Sequence, residues 1–373
     1  MDQAIALPSI EAEPEDVARA IFRNRRRDNL DCVLNGQNDH AFITGNTASV
    51  LKRMPNDCID CVVTSPPYFN QREYDFDPKY KNVAIGLEKS PQDYTSNLVS
   101  VFAEVRRVLK PGGSLWLNIG DKYHKKELIG VPWRTALALK DDGWLLRQEI
   151  IWHKMKGTQS AKDKFRNLNE YIFHFIRNRK YFFDADAVRI PPKPAISKNG
   201  KVISATGVSG KKYYEFIKST DALNQTEKRN AKNALDTAVQ EIKEGKITDF
   251  RMTIRGMQRT YHGEKAKMSG RAKEIEARGF FILKMSSKGF LPSNVWSIVP
   301  EDTWRKDKHC AVFPEELISI PILFTTPKKG VVLDPFSGTG TTVATAVKNG
   351  FRGIGIDISS EYNSFARERL MNV

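Results

Sequence analysis

From about residue 40 the chain alternates between two hydrophobic periods. Ala41–Thr44 is a short apolar run, and Ile59–Thr64 is a stronger one rich in β-branched residues, so both predict strands. Across Asp93–Leu109 the apolar residues Leu98, Val101, Phe102, Val105, Val108 and Leu109 recur at helical spacing. Lys110-Pro-Gly-Gly113 stops that helix. Ser114–Ile119 then predicts a strand, Val131–Lys140 a helix with Pro132 in its first turn, and Leu145–Trp152 and Tyr171–Ile176 two more strands. Pro191, Pro192 and Pro194 break the pattern, and a polar stretch follows with one helical piece at Gln225–Lys243. Alternation returns with a helix at Pro314–Thr325, kinked by Pro321, and a strand at Val331–Asp334. A helix at Thr341–Lys348, a strand at Gly353–Asp357 and a last helix at Ser360–Leu370 complete it.

Seven strands interleaved with helices predict an α/β fold, a mostly parallel Rossmann-like sheet with helices on both faces. The interruption reads as an inserted module. The expected organisation is an N-terminal extension over residues 1–30 and one half-domain over 31–190. The module over 191–290 and a second half-domain over 291–373 follow.

Charge sharpens that division. The chain has 373 residues and a formal charge of +15. Residues 193–290 hold 21 Lys and Arg against 10 Asp and Glu, so most of the surplus lies in the module. Such a segment suits a polyanion, because each phosphate it neutralises releases counterions. No apolar stretch is long enough for a membrane span, and Met1–Ala20 lacks the order of a signal peptide, so a cytoplasmic protein is expected. Cys58 and Cys61 form a CxxC pair with no second pair, inside an apolar run, and the histidines are scattered. No metal site is expected.

Two motifs carry the chemistry. Asp334-Pro-Phe-Ser-Gly-Thr-Gly-Thr-Thr342 lies between a strand and a helix, where Gly338 and Gly340 allow a sharp turn and close approach to a ligand. The next strand ends in Asp357, an acid that can accept hydrogen bonds from a ribose diol. Together they point to a nucleoside-containing cofactor. Thr64-Ser-Pro-Pro-Tyr68 ends the strand Ile59–Val63. Its prolines fix backbone carbonyls, Ser65 adds a hydroxyl, and Tyr68 adds an aromatic face. Hydroxyl, carbonyl and ring form a clamp for a planar base bearing an exocyclic amine.

With these residues in hand, the chain resembles the amino-methylating DNA methyltransferases, whose hallmarks are a DPPY or SPPY tetrapeptide and an FxGxG cofactor motif. Here they read Ser65-Pro66-Pro67-Tyr68 and Phe336-Ser-Gly-Thr-Gly340, in the order of the β class. Arg107–Asp121, Asp142–Lys154, Asn169–Phe175 and His309–Leu317 resemble further family segments. The resemblance implies S-adenosylmethionine as cofactor, held by Asp334, Pro335, Phe336, Ser337, Gly338, Gly340, Thr341 and Asp357, with Phe313 beside its methionine and Asn46 near its adenine. The family often has Gly-Asp where this chain has Gly45-Asn46. Ser65, Pro66, Pro67 and Tyr68 would be catalytic, acting on a flipped base in double-stranded DNA. Serine at the first motif position leans to cytosine N4, and aspartate to adenine N6.

The implied setting is a bacterial restriction-modification system, with a separately acting endonuclease and a monomeric or homodimeric methyltransferase. Residues 191–290 would recognise the target, with Arg251, Arg255 and Arg259, four apart on an expected helix, as DNA contacts. Methylation at cytosine carbon 5 would want a Pro-Cys nucleophile, which the chain lacks. A nicotinamide dehydrogenase would need a catalytic half after the cofactor motif. An RNA or protein-glutamine methyltransferase, and a non-catalytic DNA-binding protein keeping the fold, are the other readings.

Overall fold

A computed structural model describes residues 30–71, 80, 83–157, 162–192, 196–198, 201–203, 210–257, 270–300 and 313–371. Two compact units result, one from residues 1–187 with 293–373 and one from 188–292.

In chain order the first unit contains β1 (His40–Thr44), α1 (Thr47–Leu51), β2 (Ile59–Thr64), α2 (Pro91–Val108) and β3 (Leu109–Ile119). The short β4 (Tyr123–His124) and β5 (Glu127–Leu128), then α3 (Val131–Asp141), β6 (Leu145–His153) and β7 (Asn169–Ile176) follow. The second unit contains β8 (Ile196–Lys198), β9 (Lys201–Ile203), α4 (Lys211–Ser219), α5 (Gln225–Lys243), β10 (Ile247–Ile254), α6 (Gly270–Arg278) and β11 (Phe280–Ser286). Returning to the first unit, the chain forms β12 (Val295–Ser297), α7 (Glu315–Thr325), β13 (Val331–Asp334), α8 (Thr341–Lys348), β14 (Arg352–Asp357) and α9 (Ser360–Met371).

The main sheet has eight strands in the order β1-β14-β13-β2-β3-β7-β6-β12. All seven expected strands are present. The eighth, β12, pairs three residues in parallel with Ile151–His153 at the sheet edge, too few for an apolar run to announce it. Neighbours from β1 to β3 are parallel, and β7 runs antiparallel to both β3 and β6.

Strand β2 shows why the sheet is covered on both faces. Its side chains alternate. Val62 joins Leu115 and Leu117 of β3 against Leu98, Phe102 and Val105 of α2. Cys61, Val63 and Trp116 face the other way, in a cluster with Leu317, Ile318 and Ile322 of α7. Helix α2 starts where Ser90 accepts from the Asp93 N–H at 3.1 Å, with Pro91 in its first turn. It ends at Val108, and β3 already begins at Leu109, so Lys110-Pro-Gly-Gly113 both stops the helix and enters the sheet.

The second unit has its own core. Ala231, Leu235, Ala238 and Ile242 line one face of α5 and cluster with Phe250, Met252 and Ile254 of β10 and Phe280 of β11. Asn224 and Glu227 cap α5 reciprocally. The helix expected to carry the three arginines is not formed: Arg251 lies on β10, paired antiparallel with Leu283 of β11. Buried Phe250, Met252 and Ile254 set a strand period, and Arg251 faces solvent between them. Arg255 follows the strand, and its guanidinium is taken up inside the unit. It donates to Glu227 at 2.9 Å and to the carbonyls of Ala222 at 3.2 Å and Glu276 at 2.6 Å. Arg259, like residues 1–29, lies outside the described residues.

Candidate active site

In a parallel sheet, ligands bind beyond the carboxyl ends of the strands. Both sequence motifs sit there, on neighbouring strands. The Ser65–Tyr68 tetrapeptide leaves β2, and the glycine turn leaves β13. One hydrogen bond ties them together: Thr64 Oγ1 donates to Asp334 Oδ1 at 2.6 Å. Thr342 Oγ1 donates to Asp334 Oδ2 at 2.6 Å, and the Phe336 N–H to Oδ1 at 3.1 Å. Asp334 is therefore the pin under the turn. Burial pushes its carboxyl up to about 6, although the three donors favour the charged form.

Above that pin, Gly338 and Gly340 adopt positive φ of 49° and 76°. A Cβ on Gly340 would meet Ala366 Cβ at 2.7 Å and the Phe42 ring at 2.9 Å. Asp357, at the end of β14, receives the Gly338 N–H on Oδ2 at 2.9 Å and the Ser359 N–H on Oδ1 at 2.8 Å. Burial raises its carboxyl, opposed by those backbone donors. Each oxygen keeps a further lone pair for a ribose diol. The Ser337 hydroxyl is buried with no protein partner. The turn then opens α8, whose first N–H groups lack intrahelical acceptors and favour a carboxylate. This donor and acceptor set fits S-adenosylmethionine, which carries a ribose and an amino-acid carboxylate.

The remaining expected cofactor residues are spread around this edge. Pro335 O accepts from Thr47 Oγ1 at 2.7 Å, locking the turn to α1. Thr341 is buried in the first turn of α8, and its hydroxyl accepts from Arg369 at 2.9 Å. Phe336 is half-buried against the α2-side core. Phe313 is half-buried with the α7 cluster, and residues 301–312 before it lie outside the described residues. Asn46 caps α1 by accepting from the Ser49 N–H at 3.1 Å, and its amide donates to Val83 O at 3.4 Å. It thus sits one residue past Gly45, whose N–H donates to Asp357 O at 2.9 Å.

The tetrapeptide is held by groups that sequence reading did not single out. Ser65 Oγ donates to the Tyr68 hydroxyl at 3.2 Å, which donates to Glu170 Oε2 at 2.7 Å. Asn118 Nδ2 reaches the Tyr68 hydroxyl at 2.9 Å, Glu170 Oε2 at 3.0 Å and Ser65 Oγ at 3.4 Å. Lys154 pairs with the other oxygen of Glu170. Burial and the Glu170 charge hold the Tyr68 phenol well above its usual range, so it stays neutral. Pro67 O accepts from Tyr94 at 3.0 Å. Gly120 leaves room for the Tyr68 ring, which a Cβ there would meet at 2.6 Å. Asn118 Oδ1 is buried without a partner. The available signal was positional: Asn118 is the last but one residue of β3, beside the end of β2, and Glu170 is the second residue of the antiparallel β7.

Fold and edge together place a glycine turn backed by Asp357 beside the Ser65–Tyr68 tetrapeptide, at the carboxyl end of a mostly parallel sheet. A family model described as "DNA methylase", for N6/N4 methyltransferases, matches residues 59–368. The Type II methyltransferase M.SfiI of Streptomyces fimbriatus is 28% identical over 383 residues, covering 87% of this chain and 89% of that protein. M.SmaI of Serratia marcescens is 26% identical over 371 residues, covering 91% and 94%. In structure the chain matches the PvuII DNA methyltransferase (cytosine-N4-specific) with a TM-score of 0.54 at 16% identity, covering 89% of this chain and 86% of that one. A likeness at that identity speaks for the fold alone. The chain belongs to the N6/N4 DNA methylase family, and its methyl donor is S-adenosylmethionine.

Proposed function

We propose that the chain methylates the exocyclic N4 of a flipped cytosine in double-stranded DNA, as the modification enzyme of a Type II restriction-modification system. What supports cytosine is Ser65 at the head of the motif, the residue that in the resembling family leans to cytosine N4; its geometry supports an acceptor for an exocyclic amine. Its proton is committed to Tyr68 and, through it, to Glu170. With Asn118 Nδ2 at 3.4 Å on one side, Ser65 Oγ keeps a lone pair to accept from an incoming N–H.

An exocyclic amine is a poor nucleophile because its lone pair is delocalised into the ring. Bound S-adenosylmethionine supplies an electrophilic methyl group. The protein's task is to localise the amine's lone pair and aim it. Ser65 Oγ and Pro66 O accept the two N–H groups, which favours a pyramidal nitrogen and stabilises the charge that builds on it. Pro67 O is already used by Tyr94, so it fixes the backbone instead. Asn118 Oδ1 is a further acceptor close to Ser65. Tyr68, anchored at its hydroxyl, offers its ring for stacking, and orientation supplies much of the rate. Residues 188–292, with their basic surplus, serve as the target-recognition unit, and Arg251 is a solvent-facing DNA contact in this reading.

The test is to incubate the protein with radiolabelled S-adenosylmethionine and unmethylated bacterial DNA, digest to nucleosides and separate them. Label in N4-methylcytosine, sharply reduced in Ser65→Ala, is expected. Label in N6-methyladenine would overturn the assignment of the base, because the family covers both amines. No label in DNA, with cofactor binding intact, would overturn the DNA substrate.

A further inference from the structure

Extruding a base leaves a gap in the stack, and proteins that distort duplexes fill or force such gaps with apolar wedges. Phe165 is 96% exposed, more than any other large apolar side chain among the described residues. It lies between β6 and β7 in a segment that is fastened on either side of it. Asp163 pairs with Lys126 at 3.0 Å. The Lys164 ammonium sits 3.7 Å from the centre of the Tyr123 ring. The Lys154 N–H donates to Leu168 O at 2.7 Å, closing the base of the loop. The residues flanking this exposed ring thus make an ion pair, a cation–π contact and a backbone bond to the rest of the unit.

Its position ties it to the chemistry. Lys154 and Glu170 flank the loop, and both belong to the network that holds Tyr68. Phe165 and Glu170 are five positions apart, a span of at most about 18 Å. The ring is therefore on the catalytic edge of the same unit. Its neighbours Lys162 and Arg166 are exposed cations, suited to phosphates on either side of an entry point.

We propose that Phe165 is the wedge that enters the DNA stack beside the target base and occupies the space the flipped base leaves, with Lys162 and Arg166 gripping flanking phosphates. This role rests on the reading of the chain as a methyltransferase of a flipped base. Specificity for the base stays with the tetrapeptide, and the wedge acts on the extrusion step alone.

The experiment compares wild type with Phe165→Ala in single-turnover methylation. The probe is a duplex oligonucleotide carrying the site found by sequencing DNA modified by the wild type. A second duplex mismatches the target base, which removes most of the cost of extrusion. On the paired duplex the variant is expected to be about 5- to 150-fold slower, the value of one base–aromatic stack. On the mismatched duplex it should match wild type, and Phe165→Trp should retain activity on both. Because the side chain is exposed, the melting temperature should not change. Undiminished activity of Phe165→Ala on the paired duplex would overturn the role, as would equal loss on both duplexes. A wild type that labels no DNA would instead overturn the function on which the role rests.

Discussion

Asp334→Asn tests whether the pin under the glycine turn behaves as its surroundings dictate. Asp334 is 1% exposed, and burial lifts its carboxyl from 3.8 to about 6. A carboxyl raised in the folded state binds protons more tightly there than in the unfolded chain. Its contribution to stability is therefore fully present below pH 3.8 and is lost as pH rises through about 6. A shift of about two units corresponds to about 3 kcal/mol across that window. Asparagine cannot ionise, and the site can still satisfy it. Its carbonyl can accept from Thr64 and the Phe336 N–H, and its amide can donate to Thr342. The Thr342 hydroxyl can then turn to Val63 O, 3.5 Å away. Urea unfolding of both proteins at several pH values from about 4 to 8 reads the difference between them, so other titrating groups cancel. The gap should move in favour of the variant by about 3 kcal/mol as pH rises through the window. Parallel pH profiles for the two proteins would refute the reasoning.

Three further outcomes are expected. Gly340→Ala should cost about 2–5 kcal/mol, from left-handed backbone and overpacking against Ala366 and Phe42, and should weaken cofactor binding by calorimetry. Glu170→Gln should lower kcat by about 10- to 150-fold, the worth of a charge-assisted hydrogen bond, while the dissociation constant for S-adenosylmethionine stays unchanged. His174 is stacked 4.0 Å from Trp116, and burial lowers its pKa to about 3. Its stabilising effect is present above the ordinary histidine range and is lost as pH falls toward 3, so His174→Phe should flatten the acid limb of the unfolding curve.

The central sheet was legible because each strand was an apolar run bounded by turn residues, Ile59–Thr64 and Val331–Asp334 above all. The two motifs were legible because their chemistry is local in sequence. The second unit was less so. Arg251 and Arg255 are four apart, which suits a helix, yet Phe250, Met252 and Ile254 are buried on β10, with Asp249 and Thr253 buried beside them and Arg251 alone exposed. Polar Asp249, Arg251 and Thr253 interleaved with the apolar residues hide the strand in the sequence. The network around Tyr68 was not legible because its members lie 50 residues away, at Asn118, and 102 residues away, at Glu170. Their proximity exists only once β3 and β7 pair.

The strand order has a consequence for synthesis. β13 and β14 lie between β1 and β2, so two late strands fill a slot between two early ones. Until they arrive, β1 and β2 each lack a hydrogen-bonding neighbour, and Thr64 has no Asp334 to hold it. Residues 188–292, with a core of their own, can collapse while the rest waits. With β1 to β12 made, the slot for two largely buried strands is therefore still empty. Such long-range pairing folds slowly and leaves open edges exposed to aggregation. It also means that no partial chain carries the complete carboxyl edge, so methylation capacity arrives all at once.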